Sequence, residues 1–406
     1  MLPLSLFVVI FQPPFGSFRL MHLIGLASLV YLLLFQIKIF SYEKCLTMLF
    51  FACFIYLFII EFTLNNSSIG SLVGPIFFLV DIIPFSLACR DYLKRRNCDI
   101  HDIIYLFVFT SLIQVVLVML SFFIPAIHIS FVNTMINYGY SMRLLTLLEY
   151  RLFGFASGLT FATPVFLSFF SVVLIAYVMK EKRNVTLYIL CALGCFFSAL
   201  INARTSMIVL GVGCSVFILT RNLSFLKKIL FLFLCVGLYF LFDNVLLSFL
   251  LEYSPESYKW IDSGMDEMSS FLIEGEKETG YFAYVTNEEK YELPDFIGIL
   301  FGKGYRVMQG WNEFGVHSDI GYINDIWFGG LFYIIILYSI FYKCMYSLYR
   351  NRNKVVSFIG LFLMILYPIL NFKGYVFSMN DLTNAMFFLS IVVYEDGTPL
   401  TYMNKK

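Results

Sequence analysis

The sequence predicts an all-α fold, a polytopic bundle of membrane-spanning helices, and three observations carry that prediction. Of 406 residues, 60% are hydrophobic and 19% aromatic, with a mean hydropathy of +0.82, which is more apolar surface than a water-soluble core can hide. The apolar residues come in continuous runs of about 20 rather than in alternation. In lipid the backbone must satisfy its own hydrogen bonds, so such runs select helices over barrel strands. Lysine and arginine collect in alternate turns, as the positive-inside rule asks of a multi-pass chain. The formal net charge of +1 says nothing about partners, because what matters is how charge divides between the two faces.

Taken in order, the runs give about twelve spans: 2 to 17, 20 to 39, 45 to 62, 70 to 89, 103 to 124, 158 to 179, 185 to 202, 205 to 220, 229 to 250, 321 to 342, 355 to 371 and 382 to 395. Met1 to Phe11 is followed by Gln12, Pro13 and Pro14 with no small-residue cleavage site, and reads as a short first span. The turns holding Arg90, Lys94, Arg95 and Arg96, then Lys180, Lys182 and Arg183, then Arg221, Lys227 and Lys228, then Lys343, Arg350, Arg352 and Lys354 are cytoplasmic. Both termini then face the cytoplasm. Residues 1–250 form a transmembrane bundle of about nine spans, 251–320 a large periplasmic or extracellular loop, and 321–406 the C-terminal spans with a short cytoplasmic tail. Glu252 to Glu292 is strongly acidic and reads as a solvated cap, with short amphipathic helices around Tyr258 to Leu272. The rest of that loop, Phe296 to Val316, is rich in glycine and aromatics and carries Lys303 and Arg306. No internal repeat is visible, so an inverted-repeat transporter gets no support.

Arginines at a membrane boundary mostly snorkel to headgroups, and Arg19 and Arg143 fit that reading. Arg204 differs, because the outer turn between the runs around Leu200 and Ile208 is very tight and anchors it on two helix ends. Guanidinium forks match phosphate oxygens and stay protonated, which suits them to a diphosphate gaining charge as a leaving group. His317 and Asp319 precede the run that begins near Gly321. A neutral imidazole there accepts a hydroxyl proton or holds a sugar hydroxyl. His22 and His128 read as structural, and His101 as cytoplasmic. Asp81, inside the fourth span, reads as a structurally paired carboxylate, since no second carboxylate lies deep in neighbouring spans to make a relay. The nine cysteines fall in spans or cytoplasmic turns. Cys191 and Cys195 are a helical turn apart without His or acidic partners, so no metal is expected. Gly302-Lys303-Gly304 lacks the strand-to-helix context of a nucleotide loop, and no nucleic-acid module is present.

Three motifs carry a resemblance to a known family: Arg151-Leu152-Phe153-Gly154-Phe155 before a span, Asn202-Ala203-Arg204-Thr205-Ser206 between two spans, and Phe301-Gly302-Lys303-Gly304-Tyr305 followed by His317-Ser318-Asp319-Ile320-Gly321-Tyr322 and Gly329-Gly330-Leu331. In this order the chain resembles the bacterial O-antigen (Wzy-type) polymerases, which share a superfamily with the O-antigen ligases. The likeness covers roughly Arg151 to Leu331. It implies a glycosyltransferase of membrane-embedded, C-type architecture in the cytoplasmic (inner) membrane, with its site facing the periplasm or exterior. The donor would be a growing O-antigen or capsule glycan on undecaprenyl diphosphate, and the acceptor a repeat unit on the same lipid.

By the same resemblance Arg151 and Arg204 hold diphosphate and His317 is catalytic. Arg306 joins the diphosphate set, and Asp319 joins His317, from their positions beside these motifs. Family members need neither nucleotide sugar nor, by the same analogy, a metal or other cofactor. Partners would be the undecaprenyl-diphosphate-linked oligosaccharide, membrane lipid and a polysaccharide chain-length regulator. The alternatives are an O-antigen ligase, which passes the same donor to a lipid A core, and a lipid-linked oligosaccharide flippase. The near absence of arginine and lysine from the deep spans speaks against the flippase.

Overall fold

The computed structural model describes residues 1–15, 18–64, 70–137, 151–158, 161–180, 184–203, 205–220, 229, 247–253, 255, 258–259, 261–263, 266, 287–307, 316–378 and 380–394. The predicted span 229–250 therefore lies almost wholly outside the described residues, as do Arg143, Arg204 and most of the acidic loop. Within 258–266 every described residue is helical. The helices are Leu2–Phe11 (α1), Leu20–Phe35 (α2), Ser41–Leu64 (α3), Gly70–Phe77 (α4), Ile83–Arg95 (α5), Ile100–Phe123 (α6) and Pro125–Asn137 (α7). After these come Ala162–Val178 (α8), Val185–Leu200 (α9), Thr205–Thr220 (α10), Leu247–Tyr253 (α11), Phe296–Phe301 (α12), Gly321–Tyr349 (α13), Lys354–Leu370 (α14) and Asp381–Val392 (α15). The extended structure among described residues is one ladder, Pro14–Phe15 (β1) antiparallel to Phe18–Arg19 (β2). The fold class is all-α.

Among the described residues three helices, α3, α6 and α13, are long and apolar enough to cross a membrane, with window hydropathies of 2.3, 2.6 and 1.6. The expected count of about twelve spans is not met by helix length. Seven further apolar helices run for only 10–17 residues. At 1.5 Å per residue a 17-residue helix reaches about 26 Å, short of a hydrocarbon core of about 30 Å. The first predicted span shows why. Gln12 turns into the left-handed region (φ 49) straight after the 10-residue α1, and the chain doubles back through the β1–β2 ladder. Between α4 and α5 the backbone stays helical but widens into a π turn, Phe78–Ile82, with the Ile83 N–H bonded to the Phe78 carbonyl. Pro84 has no N–H to give and its ring crowds the carbonyl one turn back, so the regular helical ladder cannot run through it.

The chain divides into two compact units: Met1–Gln114, Ala156–Gly158 and Asn287–Lys406 form the first, and Val115–Phe155 and Leu159–Thr286 the second. In the first unit the core is aromatic. Phe78 lies 4.7 Å from Phe50 and 4.8 Å from Phe387, and Phe341 continues the stack to Phe387 and Phe377 at 5.4 and 5.2 Å. The carbonyls freed at the end of α1 are taken up by distant donors: Asn384 Nδ2 reaches those of Val9 and Ile10 (3.0 and 3.3 Å), and the Ser157 N–H that of Phe11 (2.9 Å). This meets the rule that buried backbone groups are paired.

In the second unit α8 packs on α9, with the Ser171 hydroxyl donating to the Ala192 carbonyl at 2.9 Å. Val118, Leu152, Leu200, Ile201, Leu247 and Ile261 form its apolar cluster.

Candidate functional site

The most constrained part of the first unit is a break in α13. At Gly330 (φ 67, ψ −171) the backbone enters a region that only glycine occupies without strain, so the helix is two pieces joined end to end. A break of this kind releases carbonyls that a continuous helix would bond. Here each finds a donor: Trp327 O accepts from Lys303 N (2.7 Å), Phe328 O from Gly304 N (3.0 Å) and Gly329 O from the Tyr56 hydroxyl (2.8 Å). Gly302 and Gly304 both have positive φ, and the backbone of Phe328 and Gly329 lies where a Cβ on Gly302 would go. The two glycine motifs of the sequence are thus one structure, a loop docked into a broken helix. The docked loop follows α12, whose start is capped by Asp295 (Oδ1 to Gly298 N, 2.9 Å). Lys303 Nζ meets the same oxygen at 2.7 Å. Lys303 first, then the Gly298 N–H, holds the Asp295 carboxyl below its ordinary range.

From that loop Arg306 extends between two rings. Its guanidinium carbon lies 3.7 Å from the Tyr375 ring centroid and 4.3 Å from that of Phe328, and Nη2 donates to the Tyr375 hydroxyl at 2.5 Å. Burial pushes the Tyr375 hydroxyl up to about 12, so it stays neutral beside the cation. Nε of Arg306 is buried with no hydrogen-bond partner. A guanidinium set over aromatic rings can still bond through its N–H groups, and here those are only partly used. Below it Asp325, fully buried, accepts from the Tyr338 hydroxyl (2.7 Å), which in turn accepts from Asn371 Nδ2 (2.8 Å). Asn371 fixes the connection carrying Tyr375, because its Oδ1 takes the Val376 N–H (3.2 Å) and its carbonyl the Gly321 N–H (2.8 Å).

His317 is exposed on the same 302–320 connection. Its Nδ1 lies 3.2 Å from the Val307 carbonyl, which can only accept, so Nδ1 carries the proton and Nε2 holds the lone pair. Lys290 Nζ donates to the His317 carbonyl (3.1 Å). The next residue is locked, since Asn324 Nδ2 donates to the Ser318 carbonyl (2.7 Å) and Ser318 Oγ accepts from Ile320 N (3.2 Å). Asp319 is half-buried beside them. Arg306 and Val307, at one end of the described residues before α13, and His317 and Asp319, at the other, are linked by the His317–Val307 contact.

Arg151 is half-buried in the second unit. Its motif is tied to the second one by Asn202 Nδ2, which donates to the Leu152 carbonyl at 2.7 Å, while Gly154 turns with φ 63. Asn202 brings that motif beside Arg151; Arg204 itself lies outside the described residues. Sequence reasoning missed Asp325, Tyr338, Asn371 and the rings of Phe328 and Tyr375. Asp325 carried a signal, a carboxylate within a long apolar helix. Glu43, Asp325 and Asp381, each at or near the start of its helix, are enclosed as fully as Asp81. Glu43 is held by Arg90, itself buried, in an ion pair between α3 and α5. Among the described residues no three His, Cys, Asp or Glu side chains gather as a metal site. No protein-family model matches this chain, and comparison with curated proteins and with solved structures found no match, so a functional reading rests on the residues themselves.

Proposed function

We propose that this protein is a multi-pass glycosyltransferase of the cytoplasmic membrane. It would act as a surface-polysaccharide polymerase that moves a growing glycan from undecaprenyl diphosphate onto a lipid-linked repeat unit at the outer face. The observation that carries the proposal is a guanidinium set against two rings with its edge only partly used, together with an imidazole, bonded back to the Val307 carbonyl, whose Nε2 is left as acceptor. The first matches a diphosphate, bidentate in geometry and permanently charged. The second matches the hydroxyl of an incoming sugar. On this reading Arg306 neutralises the leaving lipid diphosphate and His317, flanked by Asp319, engages the acceptor hydroxyl. In the family that the motifs resemble, the arginines matching Arg151 and Arg204 hold diphosphate. The short apolar helices would be membrane-embedded pieces of an architecture like that of the C-type transferases.

Lipid-linked glycans from a strain lacking the gene test the proposal. Single repeat units on the lipid carrier with no long chains are expected. Long chains accumulating on undecaprenyl diphosphate would instead identify a ligase, and repeat units stranded on the cytoplasmic leaflet a flippase.

A further inference from the structure

His22 and Asp81 form a pair that the proposed transfer has not used. Asp81 stands on the π turn between α4 and α5 and is 1% exposed. Its Oδ2 lies 2.7 Å from Nδ1 of His22 on α2, whose side chain is 35% exposed, and its Oδ1 is buried without a partner. The fit is tight. A Cβ on Gly25, one turn along α2, would meet the Asp81 Cα at 2.7 Å and the Val80 carbonyl at 2.9 Å, so helix and π turn touch backbone to backbone. The extra residue of a π turn changes the direction in which nearby side chains point, and such turns recur at functional sites.

The chemistry is set by the partner. An ionised carboxylate only accepts, so the proton of the imidazole sits on Nδ1 and the lone pair on Nε2, which has no hydrogen-bond partner among the described residues. Both His22 and His317 thus offer Nε2. They differ in what stands behind the ring: a neutral carbonyl at 3.2 Å for His317, a buried carboxylate at 2.7 Å for His22. When a base takes a proton its ring becomes a cation. A carboxylate in a low-dielectric surrounding stabilises that cation far more than a carbonyl dipole does. Arg19, at the start of the same helix, lies with its guanidinium carbon 5.8 Å from the Phe77 ring centroid, and the His22 ring packs on the same Phe77 at 4.4 Å. Arg19 is held by Gln12 Oε1 at 2.6 Å. A cation that can hold an anionic group therefore flanks the base.

We propose that the His22–Asp81 pair is the general base of the transfer and that His317 orients a sugar hydroxyl without taking its proton. This rests on the polymerase reading. In the step, the acceptor O–H gives its proton to His22 Nε2 and the oxygen's electron pair forms the new bond to the anomeric carbon. The bond from that carbon to the lipid diphosphate breaks, its electrons staying on the phosphate oxygen. Asp81 orients the ring and offsets its new charge, and the imidazolium then returns its proton to water.

The experiment uses purified full-length protein in lipid nanodiscs with undecaprenyl-diphosphate-linked repeat units. It compares wild type with His22→Ala, Asp81→Asn and His317→Gln, all checked for monodispersity and melting temperature. The inference expects His22→Ala to lose on the order of 100- to 10,000-fold in kcat at little change in KM, with added imidazole restoring part of the rate. Asp81→Asn should lower kcat without imidazole rescue, and His317→Gln should mainly raise KM. Imidazole rescue of a His317→Ala variant, with His22→Ala near wild type in kcat, would overturn the inference and leave the polymerase reading standing. Wild-type protein that makes no polymer from these substrates defeats the reading itself. If the buried pair does not tolerate Asp81→Asn, the milder His22→Gln decides: full kcat in a stably folded His22→Gln overturns the assignment.

Discussion

At Arg306 the difference between charge and shape becomes measurable. Its guanidinium lies over the rings of Phe328 and Tyr375, and an ammonium reproduces neither that ring contact nor the fork. Arg306→Lys should therefore fail almost as badly as Arg306→Ala. In the proposed transfer both should lose on the order of 100-fold in kcat, the scale of removing one donor to a developing anion, with membrane content unchanged. Near-normal polymer from Arg306→Lys would show that only a positive charge is needed there. The charge of Arg306 is legible in the sequence. Its setting is not, because Tyr375 stands 69 residues further along and nothing local announces that a loop tyrosine will stack on it. His317 is similar: its position before a helix can be read, but its tautomer depends on the carbonyl of Val307.

At the scale of the element, α13 is one apolar run in the sequence and two helical pieces in space. Gly329-Gly330 is visible as a motif, and so is Gly302-Lys303-Gly304. That the second repairs the hydrogen bonds that the first releases appears only when the four carbonyl and amide partners are seen together. Gly330→Ala forces a side chain into a glycine-only conformation, against the backbone of Leu300 and Gly302. It should cost about 1–3 kcal/mol and lower the melting temperature in detergent. Gly74→Ala, whose added methyl meets open space within a helix, should not. Equal melting temperatures for the two would mean that the break is not a rigid part of the native state. Activity should fall with Gly330→Ala as well, since Arg306 hangs from the docked loop.

For the whole molecule, composition alone is enough to read an all-α chain with helices fit for a membrane. The number of spans is not, because hydropathy counts apolar residues and a span is measured in hydrogen-bonded length. The left-handed Gln12 followed by Pro13-Pro14 ends the first helix inside the first run, and the π turn before Pro84 splits the regular ladder of the fourth. The division into units is equally hidden, since Ala156–Gly158 joins the first unit from within a stretch that otherwise belongs to the second. Arg306, His317, Asp319, Arg19, His22 and Asp81 all belong to the first unit and Arg151 to the second. The groups of the first unit are proposed to serve one reaction, glycan transfer between lipid diphosphates. The most direct measurement is to incubate the purified protein with undecaprenyl-diphosphate-linked repeat units alone, without nucleotide sugar, and to resolve the lipid-linked products by mass. A ladder of chains growing by whole repeat units is expected, with free undecaprenyl diphosphate released at each addition. Repeat units recovered unchanged, from protein shown to be folded, would contradict it.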